Sequence, residues 1–307
     1  MYLTLGNGII YAYMVHNWRV KGHQKQTEFL TKAIESGKLA HAYVFSGPDG
    51  VGKRLIARNM AQLLLCEKQE ACGDCVQCKS FNTSHPDYIE LQHDETLKVE
   101  DVRHLLYQLS LKPYQGKYKI AVIDRAEDMT TETANALLKS MEEPKSYTVI
   151  VLVTSNPYRL LPTILSRAQK MSFGLVSESE YSTLLPAELQ PEQRLIIETF
   201  ASGRPGTAMQ IANDEAVLDK LAQVKDQYER FSTGELADKL KVAAELADAE
   251  SIEVKDALTF WLANLERELV RDNSPAAAKK ITAVSRALKL HESNVNLKLL
   301  LTEMVLD

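Results

Sequence analysis

Between Trp18 and Phe173, short runs of β-branched and aromatic residues alternate with amphipathic stretches. The runs are His41–Ser46, Asp87–Leu91, Lys119–Asp124 and Thr148–Thr154, each bounded by Gly, Pro, Asp or polar residues. They are apolar almost throughout rather than apolar at every second residue, so both faces of each strand are expected to be covered. Between them, Lys53–Cys66 and Thr131–Glu143 have helical spacing. In the second, Ala134, Leu137, Leu138 and Met141 fall on one face, and Pro144 stops the helix. Strands of this kind separated by helices predict a parallel sheet with helices on both sides, an α/β domain over residues 14–173.

Past Phe173 the strand signal stops. Residues 174–212 read as a small helical lid, broken by Pro186, Pro191 and Ser202-Gly203-Arg204-Pro205-Gly206. Residues 213–307 hold one Gly and one Pro among many Ala, Leu, Lys and Glu, the composition of an all-α domain. The net charge is −5, from 36 basic and 41 acidic side chains, and the whole excess lies in residues 213–307. That balance argues against a broad basic surface for nucleic acid. No apolar run approaches the roughly 18–20 residues that span a bilayer, so no membrane role is expected. Residues 1–13 read as an N-terminal extension, with Met14 an alternative start, and lack the cationic flank and cleavage site of a secretory signal.

Gly47-Pro-Asp-Gly50-Val-Gly52-Lys53-Arg54 joins an expected strand to an expected helix. Glycines there let backbone N–H groups converge on phosphates, and the helix N-terminus adds its dipole. The eighth position calls for a Ser or Thr hydroxyl to hold Mg²⁺, and Arg54 stands in its place. Asp124 ends the third strand run, where such a loop's metal-associated carboxylate is expected. The residue after it is Arg125, where ATPases of the additional-strand type carry a water-polarising Glu. The reading is a phosphate loop that has lost its reaction. ATP hydrolysis is not expected, and nucleotide binding is left open.

All four cysteines, Cys66, Cys72, Cys75 and Cys78, fall within 13 residues. Two overlapping C-x-x-C pairs and a fourth thiol supply a tetrahedral structural zinc site without an open position for catalysis. Metal-free thiols and an iron–sulfur cluster are the alternatives. Such clustering, rather than a dispersed disulfide framework, points to a reducing, cytoplasmic compartment.

With these features in place the chain resembles bacterial clamp-loader subunits of DNA polymerase III, of the AAA+ type. The marks are Gly22-His23-Gln24, Leu39-Ala40-His41-Ala42-Tyr43, the altered phosphate loop, and the cysteines followed by His85-Pro86-Asp87. To these add Ala134-Asn-Ala-Leu-Leu-Lys-Ser-Met-Glu-Glu-Pro144, Pro162-Thr-Ile-Leu-Ser166-Arg167 and Gly203-Arg-Pro-Gly206. The family usually reads Ser-Arg-Cys where this chain has Ser166-Arg167-Ala168.

The resemblance implies that Arg167, with Ser166, reaches ATP held by a neighbouring subunit as an arginine finger. It places residues 213–307 in a collar that joins gamma/tau-type motor and delta-type subunits into a hetero-pentamer, which loads a sliding clamp on primed DNA. Motor subunits carry a sensing Arg at the place of Gly206. An active motor ATPase is the alternative, since Lys53 and Asp124 survive.

Overall fold

The computed structural model describes residues 18, 20–81, 83–92, 97–249, 251–291 and 297–306. The expected extension at 1–13 lies outside them. The described residues up to Leu185, with Ala201–Met209, form one compact unit; Pro186–Phe200 and the described residues from Gln210 onward form a second. Residues 174–212 are thereby divided between the two.

In the first unit the strands are β1 (Ala42–Ser46), β2 (Tyr88–Leu91), β3 (Lys119–Ile123), β4 (Thr148–Thr154) and β5 (Gln169–Ser172). Its helices are α1 (Gln24–Glu35), α2 (Lys53–Leu65), α3 (Val76–Phe81), α4 (Val99–Ser110), α5 (Thr131–Glu142), α6 (Pro162–Leu165) and α7 (Glu178–Tyr181). The sheet runs β2-β3-β4-β1-β5, with every pairing parallel. This is the α/β architecture the apolar runs predict. The additional strand β4 separates β1 from β3, so the strand before the phosphate loop and the strand before Asp124 are not neighbours.

Strand alternation divides the core in two. Tyr43, Phe45, Ile120, Val122, Val149, Val151 and Val153 pack with Leu30, Ile34, Ile56 and Met60 of α1 and α2. Ala42, Val44, Ala121, Ile123, Ile150 and Leu152 pack with Val102, Leu105, Leu137, Met141 and Ile164 of α4, α5 and α6. Thus β3 and β4 are buried at every residue, which is why their sequences read as unbroken apolar runs. β5 differs. Only Met171 is buried in it, because an edge strand with one covered face keeps polar residues on the other.

The helices that follow are α8 (Pro191–Ala201), α9 (Pro205–Ala212), α10 (Glu215–Thr233), α11 (Leu236–Ala247), α12 (Ser251–Asp272), α13 (Pro275–His291) and α14 (Leu297–Leu306). Asp214 caps α10 by accepting from the Val217 amide. In the second unit Trp261 is fully buried and stacks on Phe231, centroids 4.6 Å apart, amid Val242, Leu246, Leu258, Val284 and Leu301. No helix of the described residues is long and apolar enough to cross a membrane.

Candidate functional site

Because the sheet is parallel, the loops after β1, β3 and β4 gather at its carboxyl end, the usual place for a ligand in such folds. The loop after β1 carries Gly47, Gly50 and Gly52 at positive φ and feeds α2. Two of these positions exclude a side chain. A Cβ on Gly47 would lie 2.0 Å from the Phe173 carbonyl oxygen, and one on Gly50 would lie 2.2 Å from Thr207 Oγ1. Gly206, in the first turn of α9, donates its N–H to the Gly50 carbonyl at 2.7 Å.

Lys53 opens α2 and is buried. Its ammonium donates to the carbonyls of Gly47 at 2.6 Å and Pro48 at 2.7 Å and sits 3.5 Å from the Asp49 carboxylate. Burial lowers its pKa, while Asp49, Glu127 and Asp124 pull the other way.

Next to it, Arg54 turns toward two carboxylates. Its Nε donates to Glu90 Oε1 at 2.6 Å and lies 3.9 Å from Asp124 Oδ2. Arg58 Nη1 donates to the other Glu90 oxygen at 3.3 Å, and the Tyr88 hydroxyl donates to that same oxygen at 2.8 Å. The guanidinium therefore puts a positive charge beside Asp124, where the motif would bring a metal. Burial raises the Asp124 pKa, opposed by the Arg125 N–H and the Arg54 charge. Glu90 and Arg58 were not among the sequence candidates. The available signal was one acid inside the otherwise apolar Tyr88–Leu91 run.

Arg125 stands at φ 49° and sends its side chain to Asp128 at 2.8 Å. Its amide donates to Asp124 Oδ1 at 3.1 Å. Glu127 accepts from the Ser155 amide at 2.8 Å and from the Ser155 hydroxyl, tying the end of β4 to the turn after β3. Neither acid after Arg125 occupies the place of a water-polarising Glu directly following Asp124.

Arg167 lies at the other end of the sheet. It comes two residues before Gln169, which is level with Tyr43 in the β1–β5 register. At ~3.3 Å per residue the four-residue strand span from that level to Gly47 is about 13 Å, beyond the reach of an arginine side chain. Its guanidinium donates to the Thr163 carbonyl at 3.1 Å and to Ser166 Oγ at 3.2 Å, and pairs with Glu142 at 2.9 Å. The Arg167 side chain is 36% exposed and that of Glu142 50%, so the pair is a surface one.

The cysteine module leaves the end of α2 and returns through α3. The four sulfurs lie within 4.8 Å of one another. Cys66 to Cys72 is 3.7 Å, and Cys72 to Cys78 and Cys75 to Cys66 are each 4.0 Å. Tetrahedral zinc with ~2.3 Å bonds to sulfur sets its ligands about 3.8 Å apart, so these residues fit that ion. Burial raises the Cys66 thiol, but the amides of Cys72, Glu70 and Lys68 outweigh it and bring it down to about 6. Burial and the neighbouring thiols push Cys78 up to about 12. Four thiolates this close require a cation to be charged together.

A family model for the DNA polymerase III delta subunit matches residues 22–176. This chain belongs to that family. The match covers the sheet, the altered loop and the cysteine module, and agrees with the clamp-loader resemblance read from the motifs. Among family relatives, the DNA polymerase III subunit delta' of Pseudomonas aeruginosa is 34% identical over 208 residues, covering 64% of this chain and 63% of the relative. The tau/gamma subunit of Haemophilus influenzae is 35% identical over 192 residues, covering 59% of this chain and 28% of that one. The chain thus spans less than two thirds of the length of either. A solved structure of a DNA polymerase III gamma subunit-related protein from Thermotoga maritima superposes with a TM-score of 0.52 at 22% identity. It covers 92% of this chain and 97% of its own, a likeness of fold.

Proposed function

We propose that this chain is a clamp-loader subunit of the delta-prime type, one that does not hydrolyse ATP and lends Arg167 to ATP held by a neighbouring motor subunit. The observation that carries the first half is Arg54, held by Glu90 beside Asp124. A guanidinium held there by Glu90 repels Mg²⁺, supplies no ligand for it and offsets the charge of the carboxylate that would orient it. The Gly206–Gly50 contact and the carbonyl ligands of Lys53 act in the same direction, since loop and ammonium are both engaged by the chain itself.

The second half rests on the position of Arg167. It precedes the start of β5, which is about 13 Å of strand from its own phosphate loop, so any phosphate it stabilises would belong to another chain. A guanidinium offers a planar fork of donors and a permanent charge for that purpose. Cys66, Cys72, Cys75 and Cys78 would hold one Zn²⁺, which when bound supplies a structural crosslink. The helices from 213 onward would serve as a collar toward gamma/tau-type and delta-type subunits. The complex would act on a sliding clamp and primed DNA in the cytoplasm.

The test is steady-state ATP hydrolysis by the purified chain, alone and then with partner subunits and DNA. Negligible turnover alone is expected. Turnover comparable to a working motor, abolished by Lys53→Ala, overturns the reading in favour of an active ATPase. That second reading is favoured by the survival of Lys53 and Asp124 and by the tau/gamma likeness.

A further inference from the structure

The cysteine module has no open ligand position and no part in phosphate chemistry. Its contacts lead elsewhere. Gln77 lies in α3 between the ligand positions Cys75 and Cys78, and its side-chain oxygen is 2.7 Å from His85 Nε2. The other ring nitrogen, His85 Nδ1, accepts the Asp87 amide at 3.0 Å. Since Nδ1 must accept, Nε2 carries the proton and donates to Gln77, so the relay has a fixed direction.

Asp87 is fully buried. Its carboxylate accepts three consecutive amides from the segment between α4 and β3: Tyr114 at 2.7 Å, Gln115 at 2.8 Å and Gly116 at 3.0 Å. Lys119 adds its charge at 3.8 Å. A second contact joins the same two regions. A Cβ on Gly116 would lie 2.9 Å from Leu65 Cδ2, so this loop rests directly on the residue that precedes Cys66. The loop displays Tyr114, which is 78% exposed.

We propose that the metal-bound cysteine module is a positioning device for the loop Tyr114–Gly116, acting through Gln77, His85 and Asp87. The inference rests on the zinc reading of the four cysteines. The relay requires the α3 backbone to hold Gln77 against His85, and α3 is pinned at both flanks of Gln77 by thiolates of one centre. When the centre is lost, Gln77 loses its fixed place, and the support behind His85 and Asp87 loosens.

The experiment is hydrogen–deuterium exchange on the full chain, with and without a zinc chelator, with metal content measured on the same samples. In the wild type, chelation should speed exchange in a peptide spanning residues 112–118 by about tenfold, the scale of one lost hydrogen bond, while β4 stays protected. Gln77→Ala should speed the same peptide with zinc still bound, and chelation should then add little. Gln77→Glu keeps an acceptor oxygen and should behave as wild type. Zinc-loaded protein whose 112–118 peptide ignores chelation overturns the relay and leaves the zinc reading standing. Protein without metal overturns the zinc reading itself, and the relay with it. A rise shared equally by β4 reports general unfolding and also overturns the relay.

Discussion

Gly206 and Gly50 touch backbone to backbone: the amide of one, in the first turn of α9, donates to the carbonyl of the other, in the phosphate loop. A Cβ on Gly206 would lie 2.9 Å from the Gly50 oxygen. The loop carbonyl therefore satisfies one of the donors that a helix start leaves without an intrahelical partner. Gly50→Ala should destabilise the protein by about 1–3 kcal/mol, because φ is positive there and the methyl meets Thr207. A urea midpoint equal to wild type would show that the loop accepts a Cβ at this position without cost.

Arg54→Ala leaves Glu90, whose side chain is only 9% exposed, with Arg58 and Tyr88 as its remaining donors. A loss of about 1–2 kcal/mol in chemical denaturation is expected, below the cost of stripping a fully buried pair. Arg54→Thr restores a metal-binding hydroxyl but not the Glu beside Asp124. It should therefore remain without ATP turnover in a steady-state assay.

Arg167→Ala should change stability by less than about 1 kcal/mol, since its pair with Glu142 is exposed. In an assembled complex it should lower ATP turnover at the one site it faces, so the loss is partial. Arg167→Lys should rescue poorly, because an ammonium lacks the planar fork. Comparing turnover at matched assembly decides the matter; unchanged activity removes Arg167 from the mechanism.

Asp87 supplies a pH dependence. Burial alone would raise its pKa, but the amides of Gln115, Tyr114 and Gly116, together with Lys119, hold it below the ordinary value. A depressed folded-state pKa stabilises above the unfolded value, about 3.9, and that contribution is lost as pH falls through the folded one. Asp87→Asn should therefore cost stability at pH 7, with the gap to wild type narrowing below about pH 4. Denaturation midpoints across pH 2.5–7 check this, and a gap independent of pH would exclude the charge as its source.

How much of this was readable beforehand varied with the kind of interaction. Strands β1, β3 and β4 and helices α2 and α5 follow from apolar patterning, because burial on both faces or along one stripe marks the sequence itself, whereas the edge strand β2 is only half-buried throughout, against the expectation of cover on both faces. The cysteines announce their proximity by spacing alone. β5 left no signal, as Met171 is its one buried residue. Glu90 looked like an interruption in a strand, and only pairing with β3 and the approach of α2 show what it grips. The Glu142–Arg167 pair joins the ends of two helices brought together by tertiary packing. Nor does a formula written in side chains show a glycine–glycine contact made through the backbone.

The strand order also bears on how the chain is made. β1 pairs with β4, Ala42 opposite Ile150, and with β5 on its other side. Both partners follow it by more than 100 residues of sequence, about 5–20 s of synthesis at typical ribosomal rates. Until then Ala42-Tyr-Val-Phe45, wholly buried in the finished sheet, emerges without either neighbour. The nascent chain thus carries an unpaired apolar strand through about 100 residues of the synthesis of its first unit, the stage at which it is most open to mispairing.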